Sequence, residues 1–85
     1  MSADEAAWPF GADRAIDALG LRCPLPVLKL EAAMRSASPG SRIAIRADDP
    51  IAKLDLVHAA RDAGWQATPQ AAEDGQCVYL VSKPD

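Results

Sequence analysis

Cys23 stands in the run Gly20-Leu21-Arg22-Cys23-Pro24-Leu25-Pro26, a setting that suits a reactive thiol better than a buried one. A cysteine between a glycine turn and Pro-X-Pro at a helix start is exposed by geometry. Proline fits the first turn of a helix because its missing N–H would have no partner there. With Cys23 at the N-cap, the unpaired N–H groups of that turn act like about half a positive charge. Arg22 adds a full charge nearby. Both favour the thiolate, so the thiol pKa is expected to fall below the ordinary value of about 8.5. A thiolate so placed attacks electrophilic sulfur, and the same N–H groups would stabilise a persulfide anion. Gly20, Arg22, Pro24 and Pro26 are the residues that shape this turn. The alternative is a cysteine that fills space in the core, the commoner role in small domains.

The remaining chemistry-bearing residues read more plainly. Cys77 alternates with Tyr79 and Val81 and is expected on the core face of a strand as a structural residue. One cysteine with His58 has no paired metal-ligand spacing, so no metal is expected. Asp55 and His58 lie three residues apart on a helix and by default form a solvated polar face. A catalytic pairing of Cys23 with His58 needs a distance that sequence does not provide.

These residues need elements to hold them. Ala15 to Leu19 is a short apolar run that reads as a strand. A helix is expected from Pro24 to Ala37, stopped by Pro39-Gly40. At 100° per residue Val27, Leu30, Ala33, Met34 and Ala37 fall on one stripe, the core face. Leu25 and Leu28 fall away from it, beside Cys23. Ser41 to Ala47 alternates, with Ile43 and Ile45 on one side and Arg42 and Arg46 on the other, as a half-buried strand does. Asp49 before Pro50 is a helix N-cap signal. The second helix should run to Ala63, with Gly64 as its stop and Ala52, Leu56, Ala60 and Ala63 as its core stripe. Trp65 to Ala72 and Gln76 to Ser82 read as strands joined through Asp74-Gly75. Pro69 places the first of these at an edge. The order β-α-β-α-β-β packs most economically as an α/β (α+β) two-layer sandwich, two helices on one face of a four-stranded mixed sheet. Residues 1–14 show no period and read as a flexible tail before a single domain over 15–85. Trp8 and Phe10 there are either incidental or dock on the open sheet face.

At 85 residues the chain fits one small domain, and domains of this size bury only roughly 60% of their unfolded surface. A deep, self-contained cleft is not expected, so function should lie on the surface and be completed by a partner. Arg42 and Arg46 are two cations in a chain of net charge −3, which argues against direct nucleic-acid binding. The N-terminus lacks the basic start and apolar run of a signal peptide. No stretch reaches the roughly 20 apolar residues of a membrane span. A cytoplasmic protein is expected, with cysteines too few for a disulfide framework.

The Gly20-Leu21-Arg22-Cys23-Pro24-Leu25-Pro26 segment resembles the TusA family of small sulfur-relay proteins, also called SirA-like, whose signature is Cys-Pro-X-Pro at the start of the first helix. The resemblance spans about residues 15 to 83. It includes Ile16-Asp17-Ala18-Leu19, Pro39-Gly40, Ala47-Asp48-Asp49-Pro50, Asp55 and Tyr79-Leu80-Val81. It implies an α/β two-layer sandwich. It implies that Cys23 carries sulfane sulfur as a covalent persulfide, with no other cofactor, while Pro24 and Pro26 shape its turn. The partners implied are a sulfur donor, a cysteine desulfurase or rhodanese-like protein, and a sulfur acceptor. Destinations in the family include tRNA thiolation, molybdenum-cofactor enzymes and sulfur metabolism. Leu25 stands where tRNA-thiolating members often carry an acidic residue, and Ala60 where some carry a second cysteine. Leu25, Leu28 and Leu54 are therefore expected to form an apolar docking patch around the sulfur. The competing reading is a non-catalytic interaction or regulatory module with the same fold. A thiol redox protein is disfavoured because no Cys-X-X-Cys is present.

Overall fold

The structure, a computed structural model, describes residues 11–84. Its elements are β1 (Arg14–Ala18), α1 (Leu25–Arg35), β2 (Arg42–Ala47), α2 (Ala52–Asp62), β3 (Gln66–Gln70) and β4 (Cys77–Ser82). The strands form one mixed sheet in the order β1-β2-β4-β3. β1 runs parallel to β2, as a strand–helix–strand crossover requires, and the other two pairings are antiparallel. This is the two-layer β-α-β-α-β-β architecture expected from the sequence.

Alternation decides which side of the sheet the helices cover. Ile43, Ile45 and Ala47 of β2 share one face, and the register sets Val81 and Tyr79 of β4 beside Ile43 and Ile45. Leu30, Ala33 and Met34 of α1 and Ala52, Leu56 and Ala60 of α2 join these residues in a single core. The α1 stripe is the one predicted by the 3.6-residue period, with Val27 and Ala37 packed at the margin. In α2 the period holds for Ala52, Leu56 and Ala60, but Ala63, expected in the core, is the exposed C-cap residue because the helix ends at Asp62. Pro26 adds a fully buried ring to α1. The far sheet face is not wholly polar: Ala44 and Val78 are buried there.

Boundaries move by a few residues, each for a local reason. α1 begins at Leu25 with Pro24 as N-cap, so Cys23 lies one residue outside the cap position assigned to it. α1 ends at Arg35, where the Ser36 hydroxyl donates back to the Ala33 carbonyl (3.3 Å), an alternative to continuing the helix. Asp13 exchanges two hydrogen bonds with the Arg42 backbone, both 2.9 Å. Residues 13 and 14, expected in the tail, are therefore tied to the sheet, with Arg14 inside β1. Residues 1–10, including Trp8 and Phe10, lie outside the described residues. β3 carries Pro69 and is an edge strand, as proline requires. It stops at Gln70, short of Ala72. The Gln76 N–H donates to the Glu73 carbonyl (3.0 Å), closing a turn around Asp74-Gly75 in which Gly75 takes φ +79°. The end of α2 is a Schellman cap. The Trp65 N–H reaches the Ala60 carbonyl (2.8 Å) and the Gly64 N–H reaches Arg61 (2.9 Å), with Gly64 at φ +81°. Among the described residues no helix is long and apolar enough to cross a membrane.

Candidate functional site

Cys23 sits on the turn between β1 and α1, close to the C-terminal end of β2 and the first turn of α2. The peptide bond into Pro24 is cis, and the side chain is exposed. Gly20 opens the turn at φ +82°, a conformation that favours glycine. Its N–H donates to Asp48 Oδ1 (3.0 Å), and the Arg22 guanidinium lies 3.7 Å from the same oxygen.

The turn is held down by Asp49. One carboxylate oxygen accepts the Cys23 N–H (2.7 Å) and the other accepts the Ile51 N–H (3.1 Å). Asp49 therefore braces the turn that leads into α2, but it is not the N-cap expected from its place before Pro50: α2 begins at Ala52 with Ile51 as N-cap, two residues later. Asp49 also fixes the backbone of a residue 26 positions away. It is 7% exposed, and its N–H partners, with Arg22, hold its carboxyl below the usual carboxylate range. A buried carboxylate needs such donors to remain ionised.

The sulfur itself meets Asp55. Cys23 Sγ donates to Asp55 Oδ2 at 3.3 Å. That hydrogen bond, loss of hydration, and the charges of Asp55 and Asp49 push the thiol pKa above its ordinary value. The expected lowering is thus reversed. Two causes are visible in the turn. Pro24 and Pro26 have no N–H, and the Leu25 N–H is taken by the Arg22 carbonyl (2.8 Å), so three of the first-turn donors expected to face the sulfur are missing or engaged. Arg22 is drawn to Asp48 (3.7 Å), so its charge is shared with a carboxylate rather than directed at the sulfur.

The other predicted residues fall into place around this centre. Leu25 and Leu28 on α1 and Leu54 on α2 are 48%, 51% and 64% exposed, and Ile51 joins them at 55%. Leu25 and Leu28 belong to the helix that follows Cys23, and Ile51 and Leu54 to the N-cap and first turn of the helix that carries Asp55. Ile51 was not singled out in the sequence, although it lies about 140° from Leu56 on a helical projection, off the core stripe. His58 lines a shallow groove between the helices together with Pro24 and Asp55, but the bond from the sulfur goes to Asp55. Cys77 faces the core beside Ala47, and burial raises its thiol pKa. This agrees with a structural role. The contacts of Asp49 and Asp55 with Cys23 were missed because nothing in the local sequence reports pairing across 26 and 32 residues.

The chain was compared with known families and structures. The model of the family described as sulfurtransferase TusA matches residues 14–83. Among solved structures, the SirA-like protein of Desulfitobacterium hafniense superposes with a TM-score of 0.74 at 25% identity, over 85% of this chain and 99% of that one. The family match covers both helices, all four strands and the cysteine turn, and the chain therefore belongs to the TusA family of sulfurtransferases, proteins that act in sulfur relay with partner proteins.

Proposed function

We propose that this protein is a cytoplasmic sulfur carrier that holds sulfane sulfur as a persulfide on Cys23. It accepts the sulfur from a cysteine desulfurase or rhodanese-like donor and passes it to an acceptor protein in tRNA thiolation, molybdenum-cofactor maturation or sulfur metabolism. The observation that carries this reading is an exposed sulfur on a turn whose backbone is fixed by Asp49. A carrier must offer its sulfur to two different proteins in turn. That requires an accessible atom in a constant place, which a turn held at both ends provides. Among the described residues the groove beside the cysteine turn, lined by Pro24, Asp55 and His58, is shallow and open, in keeping with a site that a partner completes. Leu25, Leu28, Ile51 and Leu54 form the apolar surface on which the donor and acceptor dock, and apolar groups beside a reactive centre mark such contacts.

Incubation with a cysteine desulfurase and cysteine, or with a rhodanese and thiosulfate, should add one sulfur atom to the intact mass. Cys23→Ser should abolish the gain and Cys77→Ser should leave it. Absence of an adduct with every donor would favour the interaction-module reading instead.

A further inference from the structure

We propose that Asp55 is the proton acceptor for Cys23 during sulfur transfer: its carboxylate holds the thiol hydrogen in the resting protein and takes the proton as the new sulfur–sulfur bond forms. The proposal rests on the relay reading above. It starts from the 3.3 Å bond between Cys23 Sγ and Asp55 Oδ2, a resting contact with the thiol hydrogen already directed at the carboxylate, of the kind that shortens in the reacting complex.

The surrounding charges single Asp55 out. From the β2–α2 loop, Asp48 is engaged by the Gly20 N–H and Arg22, and Asp49 by two backbone N–H groups. Glu31 of α1 and His58 of α2 line the groove beside Pro24, yet neither is bonded to the sulfur. Arg22, on the cysteine turn itself, faces Asp48. Asp55 is the carboxylate whose described side-chain bond is to the thiol, and it stands in the first turn of α2, on an exposed rim rather than in the core.

The step balances with a donor persulfide R–S–SH. Asp55 takes the Cys23 proton, and the Cys23 sulfur attacks the outer sulfur of the donor. The Cys23 S–S bond forms as the donor S–S bond breaks, and the donor thiolate leaves with the electron pair. The proton held on Asp55 returns to that thiolate. The products are R–SH and Cys23–S–SH, the sulfur moves without net oxidation, and no further reactant is needed. An anion on Cys23 is disfavoured until an electrophile arrives, because Asp55 and Asp49 both face it. The waiting thiol is accordingly protected from adventitious alkylation and oxidation, which follow thiolate character.

The test is Asp55→Asn, with Asp55→Glu as the conservative variant. Iodoacetamide labelling across neutral and alkaline pH, read by peptide mass so that Cys23 is separated from Cys77, gives the thiol titration. In Asp55→Asn the titration of Cys23 should move to lower pH, and labelling at neutral pH should quicken about threefold. Sulfur transfer from a persulfide donor should nevertheless slow at least about tenfold. Asp55→Glu should keep the titration and most of the transfer. A Cys23 that titrates in Asp55→Asn at the wild-type pH or higher overturns the proposal. So does one that titrates lower and still transfers sulfur at the wild-type rate. A wild-type chain that gains no sulfur, while its titration shifts with Asp55, overturns the relay reading and leaves the coupling of the two side chains standing.

Discussion

Two carboxylates act on one cysteine through different atoms, and the division matters for what each substitution should do. Asp49 accepts the backbone N–H and sets where Cys23 is, while Asp55 accepts the thiol hydrogen and has the larger influence on its acidity. The leucines beside it belong to neither task. Leu25 is 48% exposed, so Leu25→Asp should change stability by no more than about 0.5 kcal/mol. If it is a docking anchor, sulfur transfer from the cognate donor should slow about tenfold, the loss expected for one contact of ~1.4 kcal/mol. Transfer kinetics alongside a thermal melt check both parts, and unchanged transfer removes Leu25 from the docking surface. At this scale the reactive atom was legible in the sequence because its cause is local: glycine, two prolines and the cysteine are contiguous. Its acidity was misjudged because that cause is not local. The sign depends on Asp49 and Asp55, brought in from 26 and 32 residues further along the chain, and on N–H groups that the two prolines lack.

At the scale of elements, each helix separates its duties by face. α1 buries Pro26, Leu30, Ala33 and Met34 against the sheet and leaves Leu28 outward. Leu30 is fully buried and Leu28 is 51% exposed, so one substitution gives opposite results two residues apart. Leu30→Ala should destabilise by about 2–5 kcal/mol through lost burial and the cavity left behind. Leu28→Ala should stay within about 0.5 kcal/mol. Urea denaturation of the two variants checks this, and equal midpoints would place the core on the wrong stripe. Periodicity carried this information, so helix faces and strand alternation were readable in advance. Helix ends were less so. The Ser36 hydroxyl ends α1 by bonding back to Ala33, and Pro24 takes the cap position expected of Cys23. These are side-chain and dihedral choices that a periodic pattern does not encode.

For the molecule as a whole, charge sets the pH range of stability. Asp17, bonded to Arg46 (2.9 Å) and to the Leu19 N–H (3.1 Å), and Asp49, on its two N–H groups, both have carboxyls held below the usual range. Their contribution is present above the unfolded carboxylate value of about 3.9 and is lost as pH falls through their lower folded values. The Cys77 thiol and the Tyr79 phenol are both raised by burial. Their neutral forms stabilise the fold fully below the unfolded values, about 8.5 and 10, and that support fades as pH climbs through the folded ones. The urea midpoint should therefore be flat near neutrality and decline towards both acid and alkali. A midpoint that kept rising into alkali would contradict the assignment of Cys77 and Tyr79. The architecture was legible at this scale, since element order and edge signals such as Pro69 leave few arrangements of four strands and two helices.

The long reach of Asp49 and Asp55 has a consequence during synthesis. Chains grow from the N-terminus, so Cys23 leaves the ribosome before either acid, separated from them by 26 and 32 residues. Through that interval the newborn thiol has neither an anchor for its backbone nor a neighbour to keep its hydrogen, and it behaves as any cysteine in a loose peptide. Only when β2 and the opening turn of α2 have been translated and folded back does it acquire the reserve of the mature molecule.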